Sequence, residues 1–408
     1  MSLKTSQHIS AALLASALCF HAADSFGSGF AVYTQDASAL GQGNAMIAHT
    51  DGPAAIFFNP ALLNKLEGTQ VEVGTTLIFP SRKSKSDLSS TEYETEYSVF
   101  YPSTFYISHR FDDKVSAGLG VFSPFGLGTD WGEDWEGRYI TTRSEMKTFN
   151  FNPAISYQIM PNLSVAAGVD FILLDATLEN KVNLFSGDGR GLGYNLGAVY
   201  DINEDTTLGA SYRSEVNVDI AGDATFIPAA FYTKAETDIT LPQQVHAGIS
   251  YKGFEDLIIE AGVRWEGWSS YDELKLDFEQ SIPIIGITTM TYEKDWKDTW
   301  TGNAGAQYQL NDSVSLRAGY LYGGNPVPDK TFEPSIPDSN THIFTIGTGL
   351  KYQRIKIDLA YAYQMQESRE KNNTIDDSPL DGLTPATSAN GRYDSRIHLV
   401  GINLTYIY

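Results

Sequence analysis

Residues 396–408 alternate with almost no error: Val400, Ile402, Leu404, Tyr406 and Tyr408 fall on one side, Gly401, Asn403 and Thr405 on the other. A strand repeats every two residues, so these positions form one apolar face and one face of glycine and small polar groups. Lipid on one side and a polar interior on the other satisfies both. A soluble edge strand fits a single such stretch, but the pattern recurs. Leu163, Val165, Ala167, Val169, Phe171 and Leu173 oppose Ser164, Gly168 and Asp170, and Ile355, Ile357, Leu359, Tyr361 and Tyr363 oppose Lys356 and Asp358. Charges such as Lys356 and Asp358 are costly against lipid and comfortable in a wet lumen. The chain therefore reads as a transmembrane β-barrel. The rival, a large soluble β-sandwich, leaves the aromatic strand ends unexplained.

The 36 glycines, 23 tyrosines and 21 phenylalanines suit barrel strands with aromatic girdles. Past the N-terminus no apolar run approaches the roughly 20 residues of a membrane helix. A net charge of −22 would repel phosphates, so nucleic acid is not an expected partner. Residues 1–23 have the form of a secretory signal: Lys4, an apolar core over 9–20, and the small pair Ala22-Ala23. The single cysteine, Cys19, falls inside that segment, so no disulfide or cysteine-based metal site is expected after export.

Tight polar turns alternate with long irregular segments. The tight ones are Asp112-Asp113, Pro161-Asn162, Asn203-Glu204-Asp205, Gly253-Phe254-Glu255-Asp256, Asn311-Asp312 and Gln353-Arg354. The long ones run roughly 80–98, 123–145, 182–190, 221–236, 280–294, 324–341 and 367–393. Six tight and seven long connections give fourteen strands, an even number as a closed single-chain barrel prefers. The barrel is expected over 69–408. Residues 24–68 do not alternate, are rich in Gly, Ala and Ser, and carry the breakers Gly52-Pro53 and Asn59-Pro60. A barrel of this width has an open lumen unless something fills it. Phe30, Tyr33, Leu40, Ile56, Phe57, Phe58, Leu62, Leu63 and Leu66 are too apolar for a solvated tail, so 24–68 is expected to be a plug inside the barrel.

At these residues the chain resembles the FadL family, the outer-membrane transporters of long-chain fatty acids and aromatic hydrocarbons. Gly29-Phe30, the run from Ser38 through Leu40-Gly41-Gln42-Gly43-Asn44 to Ala45, Asp51 and Asn59-Pro60-Ala61 follow the family's hatch signature in order and spacing. Pro124-Phe125-Gly126-Leu127, Trp268 and Asn325-Pro326 are further matches. The resemblance implies an all-β fold, a fourteen-stranded antiparallel barrel with an N-terminal hatch, in the Gram-negative outer membrane. It implies uptake of a hydrophobic small molecule by passive diffusion, with lateral exit where the third strand is kinked beside the Asn-Pro-Ala turn. Carried over, Gly29 and Phe30 border the ligand pocket, and Asn59, Pro60 and Ala61 face the kink. The third strand, about 114–122, has Gly118 and Gly120 as kink candidates. The ordinary alternative is that both glycines simply make room for the plug.

Two departures favour a neutral hydrophobe over a fatty acid. The segment 182–190 is short for an outer groove, and Asp175 falls near where fatty-acid transporters carry a basic residue. No enzyme is expected, because the seven histidines are scattered and no nucleophile or phosphate-loop motif is present. No cofactor and no metal site are expected either. Glu133-Asp134 and Asp376-Asp377 read as solvated loop charge before ion sites. A general diffusion porin is the alternative function, and an outer-membrane enzyme or adhesion protein a third. The expected partners are the ligand, outer-membrane lipid and lipopolysaccharide, and the barrel-assembly machinery; the protein is expected to be a monomer. Residues 406–408 end an outward apolar face of the kind that machinery recognises. Deleting them should sharply lower the amount of heat-modifiable barrel in cells, with normal levels contradicting the assignment.

Overall fold

The computed structural model describes residues 29–283, 285–375 and 389–408. The expected signal segment with Cys19, and the pair Asp376-Asp377, lie outside the described residues. Fourteen strands close into an antiparallel ring. They are β1 (Thr69–Ser86), β2 (Ser103–Arg110, with an outer piece Glu92–Glu94) and β3 (Val115–Phe122 and Gly126–Asp130). Next come β4 (Arg143–Met160), β5 (Leu163–Glu179), β6 (Asn183–Asp201) and β7 (Thr206–Arg213 and Val216–Phe226). Then follow β8 (Phe231–Leu241 and Gln244–Phe254), β9 (Leu257–Glu266 and Glu273–Phe278) and β10 (Thr289–Glu293 and Thr299–Asn311). The last are β11 (Val314–Gly323), β12 (Thr341–Tyr352), β13 (Ile355–Gln366 and Arg369–Lys371) and β14 (Gly391–Ile407). β14 closes the ring on β1, in register from Gln70 opposite Ile407 to Ser86 opposite Gly391. No backbone edge is left there for lipid to meet.

The six tight turns stand where the sequence places them, all at the end of the barrel where Gly68 leads into β1. Two expected loops are strand instead. Residues 183–190 belong to β6 and pair with β5 and β7, and residues 221–226 pair with 231–236 of β8, leaving a turn of only 227–230. Above the hydrocarbon the polarity of the wall inverts. Val218, Ile220, Phe185 and Ile239 point inward and are buried, while Asp188, Asp219 and Asp238 point outward and are exposed. The strand period survives there, but the apolar face has changed sides, so these hairpins read as loops.

Residues 29–66 lie inside the ring. They form the short helices α1 (Ala37–Leu40) and α2 (Ala55–Phe58), and a 3₁₀ helix, Pro60–Lys65. Asp36 caps α1, its carboxylate accepting from Ala39 N–H at 2.6 Å. Burial and the neighbouring Asp358 push that carboxyl up to about 6. Inward-facing glycines of the wall let this hatch approach closely: a Cβ on Gly319 would strike the backbone of Gln42 and Gly43.

The hatch is held mainly by polar groups that the wall aims inward. Arg317 of β11 reaches Asp51 at 3.0 Å and Asp358 of β13 at 2.8 Å, and Lys356 donates to the Asp51 carbonyl at 3.0 Å. Burial alone would raise the Asp51 carboxyl, but Lys356 and Arg317 override it and hold the group far below the usual range. Glu260 of β9 accepts from the backbone of Ala48 and His49, and from His49 Nδ1 at 2.6 Å. Burial works to depress the His49 imidazole, and the charge and hydrogen bond of Glu260 together with the Asp51 charge more than offset it, leaving it raised. Removing one partner of such a cluster strands the rest in a low-dielectric interior, at about 3–5 kcal/mol. Arg317→Leu should therefore loosen the hatch without opening the ring. In planar bilayers the variant should pass ionic current where the parent is closed, and a closed variant would show that the cluster does not hold the plug.

Candidate functional site

The wall is interrupted between β2 and β3. Phe122 of β3 lies opposite Asn150 of β4, and Gly126 lies opposite Lys147. Four steps along β3 therefore match three along β4, so β3 carries one extra residue and bulges at 123–125. On its other side β3 pairs with β2 only from Arg110 opposite Ser116 to Phe105 opposite Val121. The two strands next meet at their outer ends, where Glu96 N–H donates to Asp130 O at 2.8 Å. Between these points residues 97–104 of one strand and 122–129 of the other make no backbone pairing with each other.

The freed backbone of β3 bonds to the hatch and to one arginine. Val32 N–H donates to Pro124 O and Gly126 N–H to Phe30 O, each at 2.9 Å, with Ala31 bridged to Phe125. Gln35 Nε2 donates to Ser123 O at 2.6 Å. Arg82, inward on β1, passes beneath β2 and donates from its guanidinium to Gly128 O at 2.8 Å. Its Nε is buried without a partner, and among the described residues no carboxylate is within ion-pairing distance of it. By contrast Arg213, Arg264 and Arg317, which also face the lumen, each hold a carboxylate: Asp170, Glu266, and both Asp51 and Asp358 respectively.

A cavity of about 930 Å³ lies against this interruption. Inside, it is bounded by Gly29, Phe30, Ile343 and Leu399; at the wall it reaches Tyr101 and Phe149, both exposed on the outer surface of the barrel. Phe30 sits in a box of four rings, its centroid 4.5 Å from Trp268, 5.5 Å from Trp296, 5.9 Å from Tyr271 and 6.1 Å from Phe125. A smaller cavity of about 110 Å³ on the outer side shares Phe30, Leu127, Met146 and Ile336 with the first, and continues among Leu178, Ile220, Ile239 and Leu276. Gly29 adopts φ +57°, and a side chain there would strike Trp268 and Trp296. Its N–H donates to Asp338 Oδ2 at 2.8 Å. Burial pushes the Asp338 carboxyl up to about 6, against the pull of that N–H.

Gly29 and Phe30 thus line the larger cavity. Gly118 and Gly120 do not lie at the interruption: they are regularly paired, opposite Ser108 and Ala154 and opposite Tyr106 and Asn152. Gly118 faces Ile56 of the hatch, and Gly120 faces the rings of Tyr106 and Phe122. Asn59, Pro60 and Ala61 are buried against β4 and β6. Asn59 Nδ2 donates to Ile47 O at 2.8 Å and to Ala198 O at 3.1 Å, and Ala61 O accepts from Ser156 Oγ at 3.2 Å. The hatch residues against the bulge are 30–35. Asp175 is exposed on the outer face, opposite Lys147, so it presents no carboxylate to a ligand in the lumen. Sequence reasoning missed Arg82, inside the segment 80–98 read as loop, and Phe100, just beyond it. The signal was present: Thr76, Ile78, Pro80, Arg82 and Ser84 continue the inward period of β1.

A family model described as "Outer membrane protein transport protein (OMPP1/FadL/TodX)" matches residues 18–408. The chain is 24% identical to the 47 kDa outer membrane protein of Pasteurella multocida, over 97% of each chain. It is 22% identical to the long-chain fatty acid transport protein of Salmonella typhi, over 88% of this chain and 92% of that one. Among solved structures it is similar to a Pseudomonas aeruginosa FadL homologue (TM-score 0.82, 18% identity, 93% and 99% covered). It is also similar to the Pseudomonas putida toluene transporter TodX (TM-score 0.71, 18% identity, 94% and 99% covered).

Asn59→Ala should leave the ring intact and remove two buried hydrogen bonds and the 3₁₀ cap, at about 1–3 kcal/mol. Faster amide exchange confined to residues 47–66 is the expected readout, and unchanged exchange there would contradict it.

Proposed function

The chain belongs to the OMPP1/FadL/TodX family of outer membrane transport proteins, and from that premise we propose that it admits a hydrophobic molecule from outside and releases it sideways, through the β2–β3 interruption, into membrane lipid. The observation that carries this reading is the large cavity, whose lining runs from Phe30 inside the lumen to Tyr101 and Phe149 on the outer surface. The inverted polarity of the outer half supplies an apolar approach, from Ile220 and Leu276 past Phe30 and Ile336. An apolar molecule leaving downward would meet water and the ion-paired hatch, whereas one leaving through the wall stays in an apolar medium. No energy source is needed for such diffusion. A general porin would need a clear lumen, and the buried residues 30–66 together with the Arg317 and Glu260 clusters support the plugged reading instead.

The relatives' names span fatty acids and toluene, so the ligand must be argued from this chain. Arg82 is a half-buried cation at the wall of the cavity that feels the Asp338 charge but makes no ion pair, and a ligand with an acid end would supply one. That supports an amphiphile over a bare hydrocarbon, the reverse of the expectation drawn from Asp175.

Two variants test the reading. Deleting Pro124 removes the extra residue and lets β3 continue in one register along β4, closing the gap. Uptake of a labelled alkane should then fall at least tenfold, roughly the loss expected when the only apolar route is blocked, while heat-modifiable barrel stays normal. Undiminished uptake would mean that the ligand leaves elsewhere. Arg82→Met removes a charge-assisted bond of about 1.5–3 kcal/mol, so binding of a long-chain acid should weaken roughly ten- to a hundredfold with alkane binding unchanged. Equal effects on both would contradict an acid end.

A further inference from the structure

We infer that Phe100 is the residue that sets the width of the molecule this wall admits; the inference rests on the lateral route just proposed. Phe100 is fixed by β1, since its N–H donates to Ile78 O at 3.0 Å and its carbonyl accepts from Ile78 N–H at 2.8 Å. Toward β3 it has no backbone partner, because pairing of β2 with β3 ends at Phe105 opposite Val121. Its side chain crosses that span instead. A Cβ added to Gly128 of β3 would meet three atoms first, and all three belong to the Phe100 ring. The ring therefore occupies the space of the side chain that Gly128 lacks.

Arg82 reaches the same residue from below, donating to its carbonyl. The outer part of the interruption is thus covered by one aromatic ring and one guanidinium that meet at Gly128. The inner part, between Ser103 and the bulge at 123–125, carries no such cover, and both Ser103 and Ser123 line the cavity. A slender alkyl chain passes under this sill. A rigid fused-ring molecule needs the width that the Phe100 ring takes up.

The test compares uptake of labelled hexadecane and labelled pyrene by cells bearing the full-length parent, Phe100→Ala, Phe100→Leu and the Pro124 deletion, each normalised to heat-modifiable barrel at the surface. Removing the ring should raise pyrene uptake by about tenfold, a typical steric discrimination, while hexadecane uptake stays within about twofold. Phe100→Leu should fall between parent and alanine, and it serves alone if the alanine variant does not assemble. Unchanged pyrene uptake in the Phe100 variants, with hexadecane still blocked by the Pro124 deletion, would overturn the sill and leave the lateral route standing. Hexadecane uptake that survives the deletion would overturn both.

Discussion

A backbone N–H or C=O without a partner costs several kcal/mol in hydrocarbon, and the rest of this structure depends on how that requirement is met. Most seams meet it by pairing strand to strand, the seam of β1 with β14 along its whole length, while β8 and β9 pair in their outer half only at Ala235 and Glu236, opposite Phe278 and Asp277. The seam of β2 with β3 does so only in its lower part. There the extra residue turns β3 inward, and the hatch takes over as the missing neighbour: Val32 and Phe30 bond to Pro124 and Gly126, and Gln35 bonds to Ser123. Arg82 does the same for Gly128. The hatch is therefore part of the wall at this point as well as a filling of the lumen.

That double role explains why the lumen is divided by polarity. Below, Arg317, Lys356, Asp51, Asp358 and Glu260 form a dense buried network that makes the hatch a fixed body. Above, the wall turns its apolar residues inward, and the rings around Phe30 sit at the boundary between the two halves. A hydrophobic molecule entering from outside finds an apolar surface as far as Phe30 and a charged one beyond it. The interruption in the wall opens at that same level, which is why the proposed route turns sideways there.

Much of this architecture was legible in the sequence, for a physical reason. Lipid demands an apolar side chain at every second position, so β5, β13 and β14 announce themselves, and the short polar turns between them fix the count at fourteen. The outer hairpins at 182–190 and 221–236 were not legible, because water outside and an apolar vestibule inside invert the pattern that lipid imposes. The bulge was hidden for a different cause. It is an event of register, one residue more on β3 than on β4, and Pro124, a residue strands carry mainly at edges and bulges, marked the place inside a segment, 123–145, that reads as loop. Asn59-Pro60-Ala61 makes its hydrogen bonds to β4, β6 and the hatch itself, not to the freed backbone at 123–126. Arg82 lies in a run of serines and lysines that reads as loop, so its inward period was passed over, and only the fold reveals that it faces a cavity without an ion-pair partner.

The central claim is that a hydrophobic molecule passes from the lumen to lipid between β2 and β3. A long-chain alkyl diazirine, loaded from outside and photolysed during uptake, would mark the wall it travels along. Mass spectrometry of the recovered barrel should find adducts at Phe30, at residues 98–103 and at Phe149. Adducts at Asn64, Lys65 and the turn at 203–205, with none at residues 98–103 or Phe149, would place the path through the hatch and contradict the account.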